Sequence, residues 1–179
     1  MDESAAWIAQ ANADYAAAER EYEFAGRRRE PVWCHAVAKQ QQAVEKSIKA
    51  IVAALHECGV RGMHPVGYEH RVQSHLRLLR RLPGGGAGLS IQRKLREFLD
   101  AATRAGISRL EALAPRRPAP GDAHPRNTEY PFQAALGRWT YPAAADSFSA
   151  TEVKEFRTVM RHVAYNARNI VSALRRGPR

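Results

Sequence analysis

Cysteine, lysine and uninterrupted apolar sequence are all scarce in this 179-residue chain. Two cysteines, Cys34 and Cys58, are too few for a disulfide framework or a four-cysteine zinc site. They fall 24 positions apart within one expected helix, which would separate them by about 36 Å at 1.5 Å per residue, so they cannot bond to each other. No run approaches the roughly 18 apolar residues of a membrane span, so neither a span nor a membrane partner is expected. Met1-Asp2-Glu3-Ser4 is acidic and lacks the basic segment and apolar run of a secretory leader. A reducing, cytoplasmic setting is therefore expected. No Gly-Lys-Ser/Thr phosphate loop, dinucleotide fingerprint, nucleophile elbow or Ser-His-Asp order occurs. His64, His70 and His75 cluster, and His56 lies near Cys58, but neither set has a defined zinc spacing; no metal and no cofactor is expected.

What is present suits one packed domain spanning residues 1–179. The hydrophobic fraction is 45%, enough for a core and too high for a mainly disordered chain. The net charge is +10, and 23 of the 28 basic residues are Arg. An excess of this kind fits a polyanionic partner such as RNA or a nucleotide. It also fits a composition bias toward Arg, Ala, Gly and Pro, so the placement of the charges has to decide.

Periodicity predicts an all-α fold, an up-and-down antiparallel bundle of four to five helices. Trp7, Ile8, Ala11, Tyr15, Ala18 and Tyr22 mark a helix over about 4–25, closed by Gly26. A second runs over about 31–57, with Pro31 in its first turn and Trp33, Val37, Val44, Ile48, Ile51 and Leu55 as its core stripe. A third covers about 68–82 on Val72, Leu76 and Leu79. A glycine-rich break follows at 83–88, then a fourth helix over about 90–105, stopped at Gly106, with a short turn at 108–114. The stretch 115–147 holds six prolines and predicts no regular element, only a long loop draped over the bundle. Ser149-Ala150-Thr151-Glu152 is a capping box that opens the last helix, which runs to about Leu174. Its stripe of Val153, Phe156, Met160, Val163, Ala167, Ile170, Val171 and Leu174 is clean. The tail 175–179 is expected to fray.

The cations form two groups. With Trp33 set at zero on the second helix, His35, Lys39, Gln42, Lys46 and Lys49 fall at about 160–240°, opposite the core stripe. Glu45 is the one acid in the middle of that helix, so the strip reads as solvent-facing and short of counterions. On the last helix Arg157, Arg161 and Arg168 lie within about 40° of one another. Their guanidinium forks suit phosphate. His162 lies about 140° from Arg157 by the same rotation.

These residues carry a resemblance. Ala6-Trp7-Ile8-Ala9-Gln10-Ala11-Asn12-Ala13-Asp14 resembles the opening of HEPN domains (higher eukaryotes and prokaryotes nucleotide-binding). Cys34-His35-Ala36 and Ala43-Val44-Glu45-Lys46-Ser47-Ile48-Lys49-Ala50 resemble that family's second helix, the most specific part of the match. Arg126-Asn127-Thr128-Glu129-Tyr130-Pro131 is similar to its Arg-Tyr-Pro element with three residues inserted. The order of elements resembles stand-alone HEPN proteins and the HEPN domain that ends sacsin. The resemblance implies a helical bundle, frequent homodimerisation, and binding of a nucleotide or RNA. With the placement of the charges it makes His35, Lys39, Lys46, Lys49, Arg126, Arg161 and Arg168 the expected binding residues. One branch of the family comprises metal-independent ribonuclease toxins paired with a nucleotidyltransferase-type antitoxin. Their Arg-x4–6-His motif is met here by Arg157 and His162, with His as general base and Arg on the phosphate. Three functions therefore stand open: nucleotide or RNA binding, RNA cleavage by Arg157 and His162, and a helical interaction module without a ligand.

Overall fold

The computed structural model describes residues 1–67, 72–82, 88–113, 132–135, 138–140 and 148–176. Six helices dominate it: α1 (Glu3–Gly26), α2 (Cys34–Glu57), α3 (Val72–Arg80), α4 (Gly88–Phe98), α5 (Ala101–Glu111) and α6 (Ala150–Arg175). The helical class follows the periodicity. Inside the stretch expected to lack regular structure, however, β1 (Phe132–Ala135) and β2 (Arg138–Thr140) pair antiparallel as a short hairpin. Phe132, Trp139 and Thr140 are strand-favouring types, masked in the sequence by the prolines around them.

The boundaries differ from expectation where local bonding decides. Helix α2 starts at Cys34, so Pro31 stands before it rather than in its first turn. The single helix expected over 90–105 is two. The Asp100 carboxylate accepts a hydrogen bond from the Thr103 N–H at 2.7 Å and caps a fresh helix, α5. Gly106, expected as a stop, lies inside α5. A Cβ there would come within 2.5 Å of Val159, so glycine serves close packing against α6. Gly88, assigned to the glycine-rich break, is the first residue of α4. The Ser149 hydroxyl accepts from the Glu152 N–H at 3.1 Å, the cap expected for the last helix.

Helix α2 is the axis of the molecule. It packs against α1 on one side and against α6, α3 and α5 on the others, while α6 also meets α1, α4 and α5. Ser4 at the start of α1 bonds Glu57 at the end of α2, through its N–H (2.8 Å) and its hydroxyl (2.5 Å). Arg175 at the end of α6 bonds Asp2 at 2.7 Å. Helix α1 is therefore antiparallel to both. Gln40 donates to the Val153 carbonyl (3.5 Å) and Cys58 to the Leu174 carbonyl (3.6 Å), so α2 and α6 are parallel neighbours. The expectation of antiparallel neighbours does not extend to this pair. The chain from α3 through α5 gives it length to return to the end where α2 began.

Small residues let α1 and α2 approach closely. Ser4, Ala11, Ala18 and Ala25 recur every seven residues on α1 and are buried; Ala36, Ala43 and Ala50 do the same on α2. The larger α1 side chains Trp7, Ile8, Tyr15 and Tyr22, expected in the core, are only partly buried at its margin. The α6 stripe is buried throughout, and Phe98, Ile107 and Leu110 close the core from α4 and α5.

Candidate functional site

The strip on α2 is not a free surface. Helix α1 lies over it and supplies the acid that α2 lacks. Asp14, buried on α1, hydrogen-bonds the Lys46 ammonium and stands 3.7 Å from that of Lys39. Lys49 is 1% exposed. It pairs with Glu45 one turn back at 2.8 Å and sits 4.7 Å from the centre of the Trp7 ring. Glu45 is buried as well. The expectation of an uncompensated strip is corrected for all three lysines, and that of a wetted one for Lys49. A wheel drawn for one helix finds its polar side but cannot show which neighbour will cover it. Lys49 is inaccessible to a ligand, and Lys46 is committed to Asp14. His35 remains exposed, and Lys39 remains partly exposed.

The arginines of α6 are likewise answered from α1. Arg157 and Arg161 both grip Glu19, Arg157 through Nε at 3.1 Å and Nη2 at 2.5 Å, Arg161 through Nε at 3.0 Å and Nη2 at 2.6 Å. Burial alone raises the pKa of the Glu19 carboxyl. The hydrogen bonds and charges of the two guanidiniums outweigh it and bring the value down to about 2. Arg157 also lies 4.1 Å from the Tyr22 ring centre. Arg168 bonds Asn12 at 2.6 Å and lies over Tyr15 at 5.4 Å. Cations from α2 and α6 thus cover Trp7, Tyr15 and Tyr22 in turn, and the resulting face is a seam between helices. Arg126 lies outside the described residues.

Arg157 and His162 are not brought together within the chain. Arg157 faces α1, whereas the His162 ring meets Phe98 of α4 at 6.0 Å between centroids. On that flank His162 joins its own helical neighbours to residues of α4. A cleft of about 320 Å³ is lined by Lys94, Glu97, Phe98, His162, Asn166, Asn169, Ile170 and Arg176. The Asn166 amide donates to the His162 carbonyl at 2.9 Å and lies 3.4 Å from both ring nitrogens, holding the exposed imidazole over α6. Lys94 and Arg176 are exposed and have no acidic partner among the described residues. Glu97, the one carboxylate of the lining, stands 3.7 Å from Arg93, which is not part of the lining. An exposed ring, two carboxamides and two free cations can take a planar polar group together with a phosphate. Lys94 escaped sequence reasoning because only tertiary folding brings α4 beside His162, whereas Asn166, Asn169 and Arg176 follow His162 by four, seven and fourteen residues along one face of α6.

Among the described residues no group of three or more His, Cys, Asp or Glu side chains is gathered to hold a metal ion. No described helix is long and apolar enough to cross a membrane. Comparison with family models, curated proteins and solved structures returned no match.

Proposed function

We propose that the chain is a HEPN-type helical bundle that binds RNA, one nucleotide unit at a time, in the cleft between α4 and α6. The observation that carries this reading is the lining of that cleft, where the exposed ring of His162 shares a wall with Lys94 and Arg176, two cations without an acidic partner among the described residues, while Arg157, Arg161 and Arg168 are held by α1. Lys94 holds the phosphodiester, and Arg176 adds positive charge at the far end of the cleft. The His162 ring stacks on the base, with Phe98 supporting it from below. Asn166 and Asn169 offer donors and acceptors to the base edge. Binding is favoured over cleavage because Arg157, the partner a toxin-type mechanism would require, is locked to Glu19 on the opposite flank of α6.

Fluorescence anisotropy with a labelled single-stranded RNA tests the reading. Lys94→Glu and His162→Ala each weaken binding at least tenfold, while Lys39→Glu, on the α1 seam, changes it less than twofold. Affinity also falls as salt rises, with a slope set by few phosphate contacts. Equal affinity in Lys94→Glu and the parent protein would overturn the assignment.

A further inference from the structure

A second cleft lies across α4 from the first and has a different chemistry. It measures about 310 Å³, within the range of small-molecule sites, and its floor is aliphatic: Leu79 and Leu82 from the α3 side, Leu95 and Leu99 from the α4 side. Arg80, Arg96 and Arg104 stand on its lining, with Asp100 as the one acid. Arg80 and Arg96 are exposed and have no ion-pair partner among the described residues. Arg104 is half-buried and fixed by a 2.8 Å bond from Nη1 to the Leu99 carbonyl, which leaves its other N–H groups unused by that bond. The Asp100 carboxylate is already engaged in capping α5.

We propose that this cleft binds a soluble amphipathic anion, an unbranched aliphatic chain ending in a phosphate monoester. Three guanidiniums against one carboxylate leave two formal positive charges, matched to a phosphate dianion rather than to a carboxylate monoanion. Four leucines, with no aromatic ring among the lining residues, suit a flexible hydrocarbon better than a nucleobase, which would seek a stacking face. The apolar body and the charged head are both needed. Neither an exposed arginine pair nor a leucine hollow of this size would retain a ligand alone.

Isothermal titration of the full chain with octyl phosphate, kept below its micelle-forming concentration, tests the proposal. Octyl phosphate binds with a negative heat-capacity change, the mark of apolar burial. Inorganic phosphate, octanol and octanoate each bind at least tenfold more weakly. Arg80→Glu and Arg96→Glu, both at exposed positions, reduce octyl phosphate affinity at least tenfold while the far-ultraviolet circular dichroism stays unchanged. Inorganic phosphate binding as tightly as octyl phosphate would remove the leucine floor from the account. Unchanged affinity in both arginine variants would place the ligand elsewhere. Co-sedimentation with phosphatidate vesicles in the absence of octyl phosphate binding would assign the arginines to a membrane headgroup, and the soluble ligand would be wrong. Lys94→Glu leaves octyl phosphate affinity within twofold, so the two clefts succeed or fail separately.

Discussion

Replacing Glu19 by Gln removes the one carboxylate of α1 that both guanidiniums grip and leaves Arg157 and Arg161 side by side on α6 without it. The magnitude follows from the titration of the acid. Its pKa falls from 4.5 to about 2 on folding, a difference worth about 3 kcal/mol at 1.36 kcal/mol per pH unit without screening. Arg161 is half exposed, and solvent screening reduces the expected loss to about 1–2 kcal/mol, or roughly 2–8 °C in Tm for a chain of this size. The sign is set by the direction of the shift. A depressed folded pKa contributes stability that is complete above the unfolded value of 4.5 and disappears as pH falls through about 2. The gap between the parent protein and Glu19→Gln, measured by urea unfolding, is therefore full at pH 7. It drops below about half by pH 3 and closes near the folded pKa. A Glu19→Gln protein as stable as the parent at pH 7 would refute the claim that this acid neutralises Arg157 and Arg161. So would a gap that stays constant from pH 7 to pH 3.

Two further substitutions probe the packing around the seam. Gly106→Ala gains helix propensity of about 1 kcal/mol, but its new Cβ meets the stiff branched Val159 at 2.5 Å. The net result is a loss of about 1–2 kcal/mol in urea unfolding, recovered when Val159→Ala is added; a stabilised Gly106→Ala would show that the α5–α6 contact has slack. Lys49→Met leaves Glu45 buried without its ammonium and costs about 3 kcal/mol, whereas Lys49→Met with Glu45→Leu costs less than the single change. Equal losses in the single and double variants would mean that the pair is not a coupled unit.

How far the sequence carried the account depends on how many neighbours each helix has. Helix α6 has one thoroughly apolar stripe, and every member of it is buried, because a surface helix shows its core side in its own periodicity. Helix α2 has neighbours on several sides, so Gln40, Gln41, Glu45, Ser47 and Lys49 are all buried despite their polarity. Asp14, which answers Lys39 and Lys46 of α2, and Glu19, which answers Arg157 and Arg161 of α6, belong to α1 and look like ordinary surface residues until other helices are laid against them. A signal was available: seven-residue spacing of small residues on both α1 and α2 announces a close-packed pair and hence a covered face. Asp100 at the break between α4 and α5 was equally readable as a cap. In the candidate site His162 stood out by residue type and Arg176 lies on its face of α6 about four turns on, whereas Lys94 joins from α4, which no spacing rule connects to His162.

The central claim is that the chain satisfies its own cations along α1 and offers an anion the α4–α6 cleft instead. Titrating the 15N-labelled protein with a short single-stranded RNA and following backbone amide shifts by NMR tests it most directly. The account predicts that the largest changes fall at Lys94, Phe98, His162, Asn166 and Asn169, with the amides of Lys39, Lys46 and Lys49 unmoved. Shifts concentrated along those three lysines, with the cleft silent, would contradict it.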